Sequence, residues 1–206
     1  IIDIYYVNGD KSDKYLFDEN VNLYSFNYEA SLKRKLIQHT FFIWEFNFFY
    51  AQVLKRKNDY NYIWCNDLPT LNPGLKISKK LGAKLIYDSH EIYLETLNQF
   101  LPRNSRGIKK ILFKQNLNLM RLIGKNFNKR VLPQVNQFIT VNESLREYFT
   151  GKYSIQSSTV IMNLPELNVH EKQIDFIDYR SQFNWNQESI ILIYQGALNE
   201  GRGLRL

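Results

Sequence analysis

Short apolar runs alternate with stretches of helical spacing along most of this chain. Ile1–Val7 and Val21–Phe26 read as strands, connected through a polar turn segment around Gly9–Asp13. Ser31–Lys57 reads as a long aromatic helix ending in Lys55-Arg56-Lys57, cations that suit a helix carboxyl terminus. Tyr62–Cys65 is the next strand, followed by Asn66-Asp67-Leu68-Pro69 and a helix near Pro73–Leu81 that Gly82 is placed to stop. A strand at Lys84–Tyr87, a helix over Gly107–Asn128, a strand at Gln137–Val141, a helix at Ser144–Phe149 and a strand at Thr159–Met162 continue the alternation. This order predicts an α/β fold: a Rossmann-like, mostly parallel sheet with helices on both faces.

After Asn163-Leu164-Pro165 the pattern lapses. Leu167–Gln187 is polar, with a short helical piece near Phe176–Phe183, and Ile190–Gln195 then restarts a strand. The expected organisation is one domain over residues 1–164, a linker over 165–187 and the start of a second Rossmann-like domain over 188–206. The chain opens inside a strand-like segment and stops soon after a glycine-rich loop. A piece of a longer protein, with the first strand of its first domain missing, is therefore expected.

Within Gly107–Asn128, the residues Ile108, Ile111, Leu112, Leu119, Leu122 and Ile123 share one face at roughly 100° per residue, and that face is expected to pack on the sheet. Lys110, Lys114, Arg121 and Lys125 cluster on a neighbouring face. The 206 residues carry a formal net charge of +7. Thr96–Asn142 holds nine Lys and Arg and no Asp or Glu, which more than accounts for that excess. The basic side is either the solvated back of a packed helix or a surface for anionic headgroups. RNA is a further polyanion to consider, but aromatics are not interleaved with the cations as a base-stacking platform requires. One cysteine, Cys65, excludes an internal disulfide, fits a reducing compartment and reads as a buried structural thiol. No stretch reaches the roughly 18 apolar residues of a membrane span; Phe41–Leu54 is interrupted by Glu45, Asn47 and Gln52.

The densest chemistry comes directly after Lys84-Leu85-Ile86-Tyr87. Asp88, His90 and Glu91 fall at the carboxyl end of that strand, where open α/β sheets place their ligand crevice. A second candidate is the turn Gly196-Ala197-Leu198-Asn199-Glu200-Gly201-Arg202-Gly203, whose amides and guanidinium suit a phosphate. It lacks the ending of a P-loop and the spacing of the dinucleotide fingerprint. Asp67 and Glu143 sit at strand ends and either line a cleft or cap the next helix. His39 and His170, in the aromatic helix and the linker, read as structural or solvent-facing.

Several segments together resemble the family 4 retaining glycosyltransferases. Ile63-Trp64-Cys65-Asn66-Asp67-Leu68-Pro69 and Lys80-Leu81-Gly82-Ala83-Lys84-Leu85-Ile86-Tyr87-Asp88-Ser89-His90-Glu91 look like parts of the amino-terminal domain. Phe138-Ile139-Thr140-Val141-Asn142-Glu143 is similar to a later strand and turn of that domain, and Val160-Ile161-Met162-Asn163-Leu164-Pro165 to the strand leading to its linker. Tyr194-Gln195-Gly196-Ala197-Leu198 with Arg202-Gly203-Leu204 resembles the start of the nucleotide-sugar-binding domain. The resemblance spans about residues 62–206, in the family's order.

It implies a GT-B fold, two Rossmann-like domains with the acceptor on the first and the donor on the second. His90 would then face the donor sugar, with Asp88 and Glu91 supporting it. Gly196, Arg202 and Gly203 would meet the diphosphate, and Asp67, Asn142 and Glu143 would line the acceptor side. The resemblance implies no metal or other cofactor. Its partners would be a nucleotide-sugar donor, a glycan or lipid-linked acceptor and an anionic membrane met by Lys110, Lys114, Arg121 and Lys125, with no nucleic acid. Its setting would be cytoplasmic, peripheral on the inner face of a bacterial membrane, in cell-surface polysaccharide synthesis. The chain departs from the family in lacking the glycine-containing loop of a first strand, and the basic residue and paired glutamates of the donor domain. By itself it is expected not to turn over a sugar nucleotide. A noncatalytic α/β module that binds RNA, another polyanion or a membrane, and a sugar-nucleotide epimerase of related architecture, remain the alternatives.

Overall fold

Strands form at each of the first six places where apolar runs predict them. In the computed structural model these are β1 (Ile2–Val7), β2 (Val21–Phe26), β3 (Tyr62–Asn66), β4 (Lys84–Ser89), β5 (Gln137–Thr140) and β6 (Ser158–Val160). The helices are α1 (Phe48–Arg56), α2 (Asp67–Leu81), the one-turn α3 (Tyr93–Thr96), α4 (Ile108–Val131), α5 (Glu143–Lys152) and α6 (Tyr179–Gln182). The structure describes residues 1–7, 19–26, 46–56, 59–97, 107–164, 178–192 and 194, without the side chains of residues 109 and 110. The amino-terminal part of the predicted aromatic helix, His39 and His170 fall outside those residues. The chain divides into two units, Ile1–Met162 and Asn163–Leu206.

In the first unit, β3–β6 form a four-stranded, all-parallel sheet in sequence order, β3-β4-β5-β6. The fold is thus α/β and Rossmann-like in character. Strand order has a consequence for the helices. Parallel crossovers are right-handed, and successive ones that step in one direction put every helix on the same face. The buried cluster agrees: Leu68 and Leu71 of α2, Leu117, Met120, Phe127 and Val131 of α4, and Phe149 of α5 join Cys65, Leu85, Tyr87 and Phe138. On the other face Tyr62, Trp64 and Lys84 are exposed, Ile86 and Asp88 half-buried and Ile139 buried. Helices on both faces were expected; among the described residues, α2, α4 and α5 cover one. The second face would require the strand order to reverse.

Two glycines shape α2. Gly82 takes a left-handed conformation (φ 69°) and its N–H bonds the Ser78 carbonyl, ending the helix as predicted. A Cβ at Gly74 would lie 2.0 Å from Cys65 Sγ, so glycine permits the close approach of α2 to β3. The helix starts at Asp67, earlier than the expected Pro73. Pro69 sits in the first turn, where no N–H partner is needed, and Pro73 costs one interior hydrogen bond that packing offsets.

The strands β1 and β2 pair in parallel, Ile2 opposite Val21 through Val7 opposite Phe26, and the sheet they form is separate from β3–β6. The turn segment expected around Gly9–Asp13, between these strands, lies outside the described residues. Tyr60 ties this pair to the approach of β3 by donating to Asp3 and bonding Tyr5 Oη at 2.8 Å. Burial, then the bond to Asp3, pushes the Tyr60 hydroxyl well above its usual pKa. Phe26 meets Phe48 and Phe49 of α1 edge-on.

Helix α4 reverses the sequence expectation. Its buried residues are Leu117, Met120, Gly124, Phe127, Asn128 and Val131. Ile108, Ile111, Leu112, Leu119 and Leu122, the face expected to pack on the sheet, are exposed and lie nearly opposite. Gly124 explains the choice: a Cβ there would meet Leu94 Cδ2 at 2.3 Å, so the bare backbone seats α3 against this side. Arg121 Nε also donates to the Leu94 carbonyl at 3.2 Å.

In the second unit, Asp178 caps α6 by accepting from the Arg180 and Ser181 amides. The Arg180 guanidinium holds the carbonyls of Asn186 and Ser189. Ile190–Leu192 were expected to begin a strand, yet they form none, and Ile190 and Leu192 are exposed. A strand takes its hydrogen bonds from a neighbour, and no other strand occurs among the described residues of this unit.

Candidate functional site

Parallel strands deliver the residues just beyond them to one edge. Here that edge collects Asp67 after β3, His90 and Glu91 after β4, and Asn142 and Glu143 after β5. Register makes the first two neighbours, since Asn66 pairs with Asp88. Asp67 takes φ 58°, a strained conformation for a residue with a Cβ, at the step from strand to helix. Its Oδ1 accepts from the His90 backbone amide at 3.4 Å. His90 Nε2 lies 3.3 Å from Asp88 Oδ1. The Asp88 carboxyl is 14% exposed and the imidazole 45%. An imidazole oriented by a carboxylate and left half in solvent can hydrogen-bond a ligand hydroxyl or exchange a proton with it.

Beneath this pair lies a buried hydroxyl network. Tyr87 Oη donates to Ser89 Oγ at 3.4 Å, Ser89 Oγ donates to the Glu91 carbonyl at 3.0 Å, and Thr140 Oγ1 donates to the Ser89 carbonyl at 2.7 Å. Ser89 and Thr140 are almost wholly buried. Burial pushes the Tyr87 phenol up and keeps it a neutral donor. The network fixes the backbone that carries His90. Ser89 and Thr140 were not singled out from sequence; the signal was present in Ser89, which continues the inward alternation of Leu85 and Tyr87.

The other candidates are placed differently. Glu91 turns to α3, where its Oε1 accepts from Thr96 Oγ1 at 3.0 Å. Asn142 caps α5, its Oδ1 accepting from the Leu145 amide at 2.8 Å, and Glu143 pairs with Arg146 Nε. So Asp67, Asp88 and His90 form one contact group, while Glu91, Asn142 and Glu143 engage local partners. Gly196, Arg202 and Gly203 lie outside the described residues, as does the Lys110 side chain. Lys114 is exposed, Lys125 half-buried and Arg121 engaged with Leu94.

Cys65 is buried against α2, and burial pushes its thiol up to about 12, against a bond from Thr70 that lowers it. A thiol so protonated is no nucleophile, as the structural reading expects. A cavity of about 10 Å³, with room for about one water, lies among Leu68, Tyr87, Tyr93, Asn128, Tyr148 and Tyr153. It is far too small for a sugar. Among the described residues no three His, Cys, Asp or Glu side chains gather as a metal site, and no helix is long and apolar enough to cross a membrane. Comparison with family models, with curated proteins and with solved structures returned no match.

Proposed function

We propose that this chain is the acceptor-side part of a retaining glycosyltransferase of GT-B type. Supporting the reading is the Asp88–His90 pair at the carboxyl end of β4, beside Asp67, within a sequence whose motifs run in that family's order. In such a transfer the bond from the anomeric carbon to the diphosphate breaks and a bond to an acceptor oxygen forms on the same face. The bonding electrons leave with the diphosphate, whose oxygen takes the proton that the acceptor hydroxyl gives up.

His90, held by Asp88, hydrogen-bonds a hydroxyl of the donor sugar and orients the anomeric carbon. Asp67 holds the backbone at that turn. Gly196, Arg202 and Gly203 lie outside the described residues; on the family's pattern their amides and guanidinium would meet the diphosphate as it departs. A charged hydrogen bond of that kind contributes about 1.5–3 kcal/mol. The acceptor is a glycan or a lipid-linked glycan, and the donor a nucleotide-sugar.

The test is product analysis. The encoded protein containing these residues is offered uridine, guanosine and adenosine diphosphate sugars, labelled in the sugar, with glycan and lipid-linked acceptors. Label moved to an acceptor with its anomeric configuration kept supports the reading. Epimerised donor, or no transfer from any donor, overturns it.

A further inference from the structure

Helix α4 carries an apolar stripe that is exposed among the described residues. Ile108 is 76% exposed, Ile111 57%, Leu112 58%, Leu119 49% and Leu122 57%. They lie within roughly 100° of the helix circumference and extend for about 20 Å. Large side chains this exposed are ordinary one at a time, whereas a continuous row marks an interaction surface. The row runs nearly opposite the Leu117–Met120–Phe127–Val131 side that packs in the core, so the core leaves it open to a partner.

Charge says what kind of partner. Lys114, Lys125 and Lys129 follow one border of the stripe, and Arg130 stands at its carboxyl end. From Leu97 through Asn142 there is no carboxylate to answer them. A protein partner of this shape would need an acidic-rimmed apolar groove. RNA would leave the leucines and isoleucines unpaired. An anionic lipid surface satisfies both features at once, taking the apolar row below the headgroups and the ammonium groups among the phosphates.

We infer that α4 lies in the plane of an anionic membrane, with Ile108, Ile111, Leu112, Leu119 and Leu122 inserted and Lys114, Lys125 and Lys129 on the headgroups. Arg121 takes no part, because its guanidinium holds the Leu94 carbonyl. The inference needs no part of the transferase reading.

The test is co-sedimentation of the 206-residue chain with vesicles. One set is phosphatidylcholine alone; the other contains an equal share of phosphatidylglycerol. Binding to the anionic set only, weakened by salt, is expected. Leu112→Gln/Leu119→Gln/Leu122→Gln and Lys114→Gln/Lys125→Gln/Lys129→Gln should each lower partitioning by about tenfold or more. All six positions are exposed or half-buried, so helix content by circular dichroism should hold. Failure to bind anionic vesicles overturns the inference, as does equal binding to neutral ones or retention of binding by the leucine variant. A dimer that the leucine variant dissolves would instead make a second copy the occupant. Binding of the chain to RNA but not to vesicles would likewise contradict it.

Discussion

The two faces of the β3–β6 sheet are built from the same strands and differ in what covers them. One face presents Cys65, Leu85, Tyr87, Ser89, Phe138 and Thr140 to the helices, all almost fully buried. The other presents Tyr62, Trp64 and Lys84 to solvent and ends in Asp88, beside His90. Burial is thus concentrated on alternate residues of each strand, and the proposed chemistry at the end of the intervening set. Side-chain alternation lets a strand do both without compromise. The link between the faces is Ser89, buried on the covered side and adjacent in sequence to His90, which pairs with Asp88 on the other.

The sharpest way to break the comparison is to hollow the covered face. Phe138, wholly buried between Tyr87 and Phe149, should cost about 3–5 kcal/mol as Phe138→Ala, measured by urea unfolding. Overfilling it should come next. Gly74→Ala sets a methyl group against Cys65 Sγ and should cost about 1–3 kcal/mol, part of which Cys65→Ala in the same chain restores.

A third effect is set by pH and accumulates with each unit. The Cys65 thiol, ordinarily at 9.0, is raised to about 12 in the fold. The unfolded chain therefore loses that proton first. Stability present below pH 9.0 should fall by up to about 1.4 kcal/mol per pH unit as pH rises toward 12. Tyr60 and Tyr87, also raised from 10.0, steepen the loss. Urea midpoints tracked from pH 8 to 11 should show this slope, and Cys65→Ala should flatten it. The smallest change is expected on the other face, where Trp64→Ser should move stability by about 0.5 kcal/mol or less.

Sequence made the parallel strands legible because each is a bounded apolar run, and it placed Asp88 and His90 at a strand end for the same reason. It misplaced the start of α2, since Pro69 reads as a breaker although a first turn tolerates it. The packed side of α4 was illegible because two apolar stripes run along that helix. Gly124 and Arg121, through Leu94, decide which one is buried, and Leu94 is distant in sequence. Glu91 looked like a partner of His90 until Thr96 claimed its carboxylate. Ser89 and Thr140 become a network only once β4 and β5 are paired.

The role given to His90 is tested most directly by comparing His90→Ala with the parent protein in sugar transfer, using whichever donor the panel identifies, alongside its urea midpoint. A loss of about a hundredfold or more in kcat/KM is predicted, with stability changed by no more than about 0.5 kcal/mol. Transfer that survives the substitution in a folded protein would contradict it.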